Sequence, residues 1–138
     1  MLRFILSLAF LCLCGSATAQ VRFETKSTDH VREIAIRHNK LVFINLHASW
    51  CVYCRDLERK VFARKEVADY MSQHFVPAKY SIEFKTGRQL MNLYGDGSVP
   101  LSLVFDTEGN LLARIAGTAT PEAFVGFLKQ IVAKHQQK

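Results

Sequence analysis

The sequence predicts an α/β fold, with a central mixed β-sheet and helices on both of its faces. Helical patterns and short apolar runs follow one another along the 138 residues in the order α-β-α-α-β-α-β-β-α. A long helical stretch separates the first two strands, as a parallel pair requires, and a short Gly-containing turn joins the last two, as in an antiparallel hairpin. A sheet that contains both kinds of pair is mixed.

The first half of the chain should form three helices around one buried strand. Ser27 or Thr28 can cap the first helix, whose inner face carries Val31, Ile34 and Ala35. The apolar, β-branched run 41–46 is typical of a buried strand. The stretch from Cys51 to about Lys60 contains no Gly or Pro and predicts a second helix, and a third is expected at about 64–73.

The second half should complete the sheet and end in a helix. The expected elements are a strand at 75–80, a helix at 86–94, hairpin strands at 101–105 and 111–115, and a final helix from Thr120-Pro121. Pro77 indicates that its strand lies at an edge or begins there, because proline cannot donate to a β-ladder. On the final helix the residues predicted to face inward are Phe124, Phe127, Leu128 and Ile131.

Residues 1–19 have the pattern of a secretory signal peptide. Arg3 gives a positive start, the eleven residues 4–14 form an apolar region interrupted by Ser7, and Ala17-Thr18-Ala19 matches a cleavage site. One alternative is an uncleaved membrane anchor, although a membrane span needs about 20 apolar residues. Another is lipidation at Cys12 or Cys14, although both are preceded by Leu where a lipidation motif has a small residue. We expect export, to the periplasm, with cleavage after Ala19, and one domain over 20–138 with its core at about 28–134.

Cleavage would leave Cys51 and Cys54 as the cysteines of the mature chain. A disulfide that closes so short a loop restrains little chain entropy, which makes the pair poorly suited to stapling a fold. Residues three apart on a helix lie on one face, with Cβ atoms roughly 5–6 Å apart, near enough for a disulfide. A cysteine at a helix N-terminus also has its thiolate stabilised by the helix dipole. The pair is therefore predicted to cycle between dithiol and disulfide.

The charge pattern does not indicate a nucleic-acid-binding protein. The net charge of +6 is spread over scattered Lys and Arg residues with acids between them, and there is no basic block. We expect a monomer with a solvated charged surface, without nucleic-acid binding and without stable membrane insertion.

A wider set of motifs resembles the thioredoxin superfamily. The motifs are Trp50-Cys51-Val52-Tyr53-Cys54 after a strand, Val99-Pro100 before a hairpin, and Gly117 before a terminal helix. Within that superfamily the chain resembles exported thioredoxin-like domains, such as the C-terminal periplasmic domain of the transmembrane thiol:disulfide interchange reductase. The resemblance implies a thioredoxin-like fold and a protein thiol:disulfide oxidoreductase that uses no bound cofactor.

The resemblance also implies roles for individual residues. Cys51 is expected to be the exposed nucleophile and Cys54 the buried resolving thiol, the two forming the Cys51–Cys54 disulfide. The Val99–Pro100 peptide bond is expected to be cis and to pack against that pair, with the backbone of Val99 pairing with an extended substrate segment. From its place before Cys51, Trp50 is expected to cover the disulfide and to contact substrate, unless it is simply an aromatic residue at the edge of the core.

Five further residues are predicted to tune the pair. Arg55 should lie over Cys51 and favour its thiolate, and Glu58 should keep the Cys54 thiol protonated, unless both simply belong to a solvated helix face. Asn45 stands where thioredoxins often have a buried Asp that accepts the resolving proton, and Glu58 or a water is a possible substitute. Val52 and Tyr53 are the two residues between the cysteines, and neither is proline. This favours a reductant or a disulfide shuttle over a strong oxidant.

One alternative function uses the same cysteines. Soft thiolates suit Cu(I), so a copper-binding or metal-delivery protein is the competing interpretation. His47 is a further candidate ligand or tuning group, unless it is simply a hydrogen-bonded residue at the end of its strand. Structural zinc needs four ligands and a c-type haem needs His at the position of Arg55, so neither is indicated, and no metal site is predicted. The expected partners are exported proteins that carry disulfides or dithiols, with a membrane thiol electron donor as a further possibility.

Overall fold

The computed structural model describes residues 19–137, so the predicted signal peptide, apart from Ala19, lies outside the described residues together with Cys12 and Cys14. The elements are α1 (Thr28–His38), β1 (Leu41–His47), α2 (Val52–Leu57), a π-helical turn (Glu58–Phe62), α3 (Lys65–His74), β2 (Phe75–Ser81), α4 (Lys85–Tyr94), β3 (Leu101–Phe105), β4 (Leu111–Ala116) and α5 (Pro121–Gln136). The predicted order of helices and strands is confirmed. Within 19–137, no helix combines the length and the apolar character needed to cross a bilayer.

The four strands form one mixed sheet in the order β2-β1-β3-β4. β1 pairs in parallel with β2 and antiparallel with β3, and β3 pairs antiparallel with β4. Pro77 lies on β2, an edge strand, where its missing N–H removes no bond from the sheet interior. β1, the strand that leads into the redox motif, is therefore central and buried along nearly all of its length.

Helices cover both faces of the sheet, as predicted. On one face α1 and α4 pack over the cluster that contains Val42, Ile44 and Leu103, and on the other face α2, α3 and α5 pack over the cluster that contains Phe43. Phe43 makes edge-to-face contacts with three other rings, those of Phe62, Phe75 and Phe124. Because side chains alternate along a strand, Asn45 lies on the same face of β1 as Phe43.

Two details differ from the prediction. The second helix does not begin at Cys51, which is its N-cap, and after Leu57 it continues as a π-helical turn. The prediction that Phe127 faces inward is wrong, since 38% of its surface is exposed. α5 packs through Phe124, Leu128 and Val132, which follow each other at four-residue spacing and leave Phe127 at the edge of the buried stripe.

Candidate active site

Cys51 and Cys54 form a disulfide at the point where β1 leads into α2, with their Cα atoms 5.3 Å apart. Cys51 is the N-cap of α2, and its sulfur accepts a hydrogen bond from the backbone N–H of Cys54 at 3.1 Å. The first turn of the helix thus directs a donor at the sulfur of Cys51. The same donor and the helix dipole would stabilise negative charge on that sulfur after reduction.

The expectation that Cys51 is exposed is wrong for this disulfide form. The exposed fractions are 4% for Cys51 and 8% for Cys54. Both cysteines belong to a small buried cluster with Ala48, against which Ile82 and Val99 pack. Exposure therefore does not distinguish the two sulfurs here, and the asymmetry between them lies in the hydrogen bond that Cys51 accepts.

The loop before β3 closes over the disulfide. The Val99–Pro100 peptide bond is cis, as the resemblance implied, and Pro100 is buried. The carbonyl oxygen of Val99 lies 3.7 Å from the sulfur of Cys51. The same loop is held from α4, because the thioether sulfur of Met91 accepts the backbone N–H of Gly97 at 3.3 Å.

Large apolar side chains near the disulfide are exposed. We call Trp50, Val52, Tyr53 and Phe84 the apolar rim; their exposed fractions are 65%, 57%, 67% and 73%. Three of the four flank the cysteines in sequence. Phe84 comes from the turn between β2 and α4, which is bonded to the segment before Cys51, and the sequence pattern did not indicate it.

Asn45 is buried, with 3% of its surface exposed. Its side-chain amide donates to the hydroxyl of Ser102, the residue opposite it on β3, at 3.2 Å. Neither group titrates in the physiological range. A partner for Asn45 was not predicted, since it depends on the register between β1 and β3.

Arg55 and Glu58 both have partners that the sequence did not indicate. The guanidinium of Arg55 donates to the carbonyl oxygen of Ser49 at 2.9 Å, which places it on the segment just before Cys51. Glu58 forms an ion pair of 2.8 Å with Lys79, the residue beside Asn45 on β2. The tuning roles of Arg55 and Glu58 stay predictions.

His47 ends β1 and is half-buried. Burial lowers the pKa of His47, and the positive charge of Lys79 lowers it further, although Glu58 and Glu83 act in the opposite direction. The imidazole is therefore favoured in its neutral form near the disulfide. Among residues 19–137, no group of three or more His, Cys, Asp and Glu side chains is arranged to hold a metal ion.

Glu83 is a site residue that sequence reasoning missed. Its carboxylate accepts hydrogen bonds from the backbone N–H and the hydroxyl of Ser49 and from the hydroxyl of Ser81. The bonds from Ser49 are the main cause that holds the pKa of Glu83 below its usual value. No pattern in the sequence joins Glu83 to Ser49, because the two residues meet only through the pairing of β1 with β2.

The profile of the thioredoxin-like domain family matches residues 28–131. The chain belongs to this family. The match runs from α1 into α5 and includes the cysteine pair, the cis-proline loop and all four strands. The predicted thioredoxin-like fold is thereby confirmed.

This thioredoxin-like domain is similar to named thiol:disulfide proteins. It is 27% identical to the thiol:disulfide interchange protein DsbD of Haemophilus influenzae (strain PittEE) over 125 residues, which are 85% of this chain and 21% of DsbD. It is 26% identical to the thiol-disulfide oxidoreductase ResA of Bacillus thuringiensis over 110 residues, which are 67% of this chain and 64% of ResA. The chain therefore spans about a fifth of the length of the DsbD proteins that it matches.

A solved structure shows the same fold at low identity. The oxidised C-terminal domain of DsbD from Neisseria meningitidis has a TM-score of 0.65 and 16% identity, over 79% of this chain and 98% of that domain. The expected resemblance to a DsbD-type C-terminal domain is thus confirmed at the level of the fold. The predicted redox pair is present as the Cys51–Cys54 disulfide.

Proposed function

We propose that this protein is an exported thiol:disulfide oxidoreductase that reduces or shuttles disulfides of other exported proteins. The observation that carries the proposal is the Cys51–Cys54 disulfide at the N-terminus of α2, with the cis Val99–Pro100 loop against it. The similarity to the thiol:disulfide interchange protein DsbD and the thiol-disulfide oxidoreductase ResA supports the exchange chemistry, and the signal-like segment at residues 1–19 supports the choice of exported clients.

The geometry suits a two-step exchange that starts from the dithiol form. The Cys51 thiolate attacks a client disulfide, forms a mixed disulfide and releases the first client thiolate. The Cys54 thiolate then attacks the sulfur of Cys51, which closes the Cys51–Cys54 disulfide and releases the second client thiolate. The client gains two electrons and two protons, and a dithiol electron donor must regenerate the protein.

The surroundings of the pair suit an extended, partly apolar client segment. The backbone carbonyl of Val99 lies beside the attacking sulfur and can pair with a client strand. The apolar rim would contact the client side chains on either side of its cysteine, since exposed aromatic side chains bind with little loss of conformational entropy.

Substitution of each cysteine tests the mechanism. Cys51→Ser should abolish dithiothreitol-driven insulin reduction, and Cys54→Ser should accumulate mixed disulfides that survive non-reducing electrophoresis. Full insulin reduction by Cys51→Ser would exclude the mechanism. Trapping with Cys54→Ser in the exporting cell would show which proteins are the clients.

The direction of electron flow is tested by the reduction potential against glutathione. A potential near that of thioredoxin, about −270 mV, is expected for a reductant. A value near about −120 mV, as in a strong periplasmic oxidant, would exclude the reducing role.

A further inference from the structure

The turn between β2 and α4 is bonded directly to the segment that leads into the redox motif. The carboxylate of Glu83 accepts the backbone N–H of Ser49 at 2.8 Å and the hydroxyl of Ser49 at 2.7 Å. A third hydrogen bond comes from the hydroxyl of Ser81 at 3.0 Å. Ser49 stands two residues before Cys51, so one side chain joins the motif to a segment 34 residues further along the chain.

Ser49 is bonded at every polar group that it has. The carboxylate of Glu83 accepts hydrogen bonds from the N–H and the hydroxyl of Ser49, and the guanidinium of Arg55 donates to the carbonyl oxygen of Ser49 at 2.9 Å. We call these three residues the Glu83 clasp. The clasp bridges the end of β1, the start of α2 and the turn after β2, although Ser49 itself is an exposed loop residue that water would otherwise solvate.

The turn that carries Glu83 is itself held firmly. The guanidinium of Arg88 on α4 donates to the carbonyl of Glu83 at 2.6 Å. The N–H of Ile82 donates to the carbonyl of His47 at 2.9 Å, and Ile82 packs on the cluster that contains both cysteines. Glu83 is therefore a fixed anchor from which the clasp holds Ser49.

We propose that Glu83 is a positioning residue for thiol–disulfide exchange at Cys51. By holding Ser49, it fixes the backbone that places Cys51 as the N-cap of α2, where its sulfur receives the N–H of Cys54 at 3.1 Å. Loss of the clasp frees this segment and weakens that hydrogen bond to the thiolate. The proposal rests on the exchange chemistry proposed for Cys51.

The test compares Glu83→Gln with Glu33→Gln, an exposed glutamate on α1, both in a Cys54→Ser background. The rate at which iodoacetamide alkylates Cys51 is followed against pH. Glu83→Gln loses one of the two acceptor oxygens that hold Ser49 and should raise the midpoint pH by about one unit, which corresponds to the loss of a hydrogen bond to a charged group. The negative charge removed by the substitution would by itself lower the midpoint, so a rise reports the loosened backbone and not the lost charge. Glu33→Gln should leave the midpoint unchanged. With both cysteines present, Glu83→Gln should slow insulin reduction by about threefold, because the thiolate fraction of Cys51 falls by up to about tenfold while the more basic thiolate is about threefold more nucleophilic.

Substitutions of Ser49 test the same contact from its other side. Ser49→Ala removes one of the two bonds and should give a smaller rise in midpoint, whereas Ser49→Thr keeps the hydroxyl and should restore the wild-type value. The double variant that combines Ser49→Ala with Glu83→Gln should shift the midpoint pH of Cys51 alkylation no further than Glu83→Gln alone, because the two residues act through one contact.

The proposal is overturned if Glu83→Gln folds and leaves the alkylation midpoint of Cys51 unchanged, or if the two substitutions shift it additively. If Glu83→Gln does not fold, an unchanged midpoint in Ser49→Ala has the same meaning. Alkylation needs no client, so these outcomes are separate from a failure of the wild-type protein to reduce insulin, which would count against the proposed function instead.

Discussion

Asn45 and Ser102 show how a single residue type changes the chemistry that a site can perform. Both are buried, and the side-chain amide of Asn45 donates a hydrogen bond to the hydroxyl of Ser102 across the β1–β3 pair. A carboxylate at position 45 would be a charge in the interior of the sheet, whereas the amide is neutral at every pH. The Asn45–Ser102 pair therefore supports the strand that carries the motif without a titrating group.

Asn45→Asp should make the stability of the protein depend on pH. Burial raises the pKa of an aspartate above its unfolded value of about 3.9, so the folded state loses stability as the pH rises through that value. We expect a loss of about 2 kcal/mol in the free energy of unfolding at neutral pH and little loss at about pH 4. Urea unfolding of the oxidised protein at both pH values measures this loss in the free energy of unfolding.

The matched control for Asn45→Asp is Asn92→Asp, at an exposed position on α4. It should change the free energy of unfolding by less than about 0.5 kcal/mol at either pH. An equal effect of Asn45→Asp at both pH values would show that the loss comes from the missing amide donor to Ser102 and not from charge.

Phe84 is exposed over 73% of its surface, more than Trp50 or Tyr53. If the apolar rim binds clients, Phe84→Ala should raise the KM for insulin about fivefold, which is the cost of leaving part of a phenyl ring unburied in the complex. The rate with a small aromatic disulfide should stay the same. Phe127→Ala, on α5, is the control, and an equal rise in KM for both variants would contradict a role for the rim.

At the scale of elements, α4 lies very close to the end of β2. A Cβ added at Gly87 would stand 2.1 Å from the backbone oxygen of Ser81, so α4 can approach only with glycine there. The contact matters for the site because Ser81 begins the turn that carries Glu83. The close approach of α4 thus sets the position of the anchor of the Glu83 clasp.

Gly87→Ala should therefore destabilise the protein, because neither the backbone oxygen of Ser81 nor the helix can move freely. We expect a loss of more than about 2 kcal/mol in the free energy of unfolding. Gly126→Ala, on α5, is the control: nothing lies within 4 Å of the added Cβ, and the better helix propensity of alanine should add about 0.5–1 kcal/mol. Both are measured by urea unfolding, and a loss of similar size in both variants would contradict the packing argument.

For the whole molecule, the shifted groups predict a stability that falls on both sides of neutral pH. The pKa of His47 is lowered mainly by burial, so its contribution is present above its unfolded value of 6.5 and is lost as the pH falls below it. The hydrogen-bonded carboxylates of Glu83 and Asp96 have lowered pKa values, so they add a loss at lower pH. Burial raises the pKa of Tyr80 to about 12, so stability also falls as the pH rises above 10.0.

Urea midpoints measured from about pH 3 to about pH 11 test this profile. His47→Gln should flatten the first part of the acid decline, which begins as the pH falls below 6.5, and leave the later part in place. Lys79, Glu58 and Glu83 are the charged groups that act on His47, and all three remain in that variant. An unchanged decline in His47→Gln would show that the imidazole is not its source.

The sequence by itself determined the order of helices and strands, a cap for α1 at Ser27 or Thr28, the start of α5 at Thr120-Pro121, and the place of the cysteine pair at the start of a helix. It also restricted the strand that contains Pro77 to an edge of the sheet or to a start at that residue. These features depend on residues within a few positions of one another, since periodicity, capping and proline geometry are local. The cis conformation of the Val99–Pro100 bond was predicted from the family resemblance, since residue type alone would not indicate it.

Only the tertiary structure decided which side chains surround the disulfide. Glu83 bonds Ser49, Lys79 pairs with Glu58, and Asn45 meets Ser102, in each case across more than twenty positions of the chain. Such pairs follow from strand register and from how closely separate elements pack, and a shift of one residue would turn strand side chains such as Asn45 and Lys79 to the other face of the sheet. Local patterns carry no information on that register, so the surroundings of Cys51 had to be read from the folded chain.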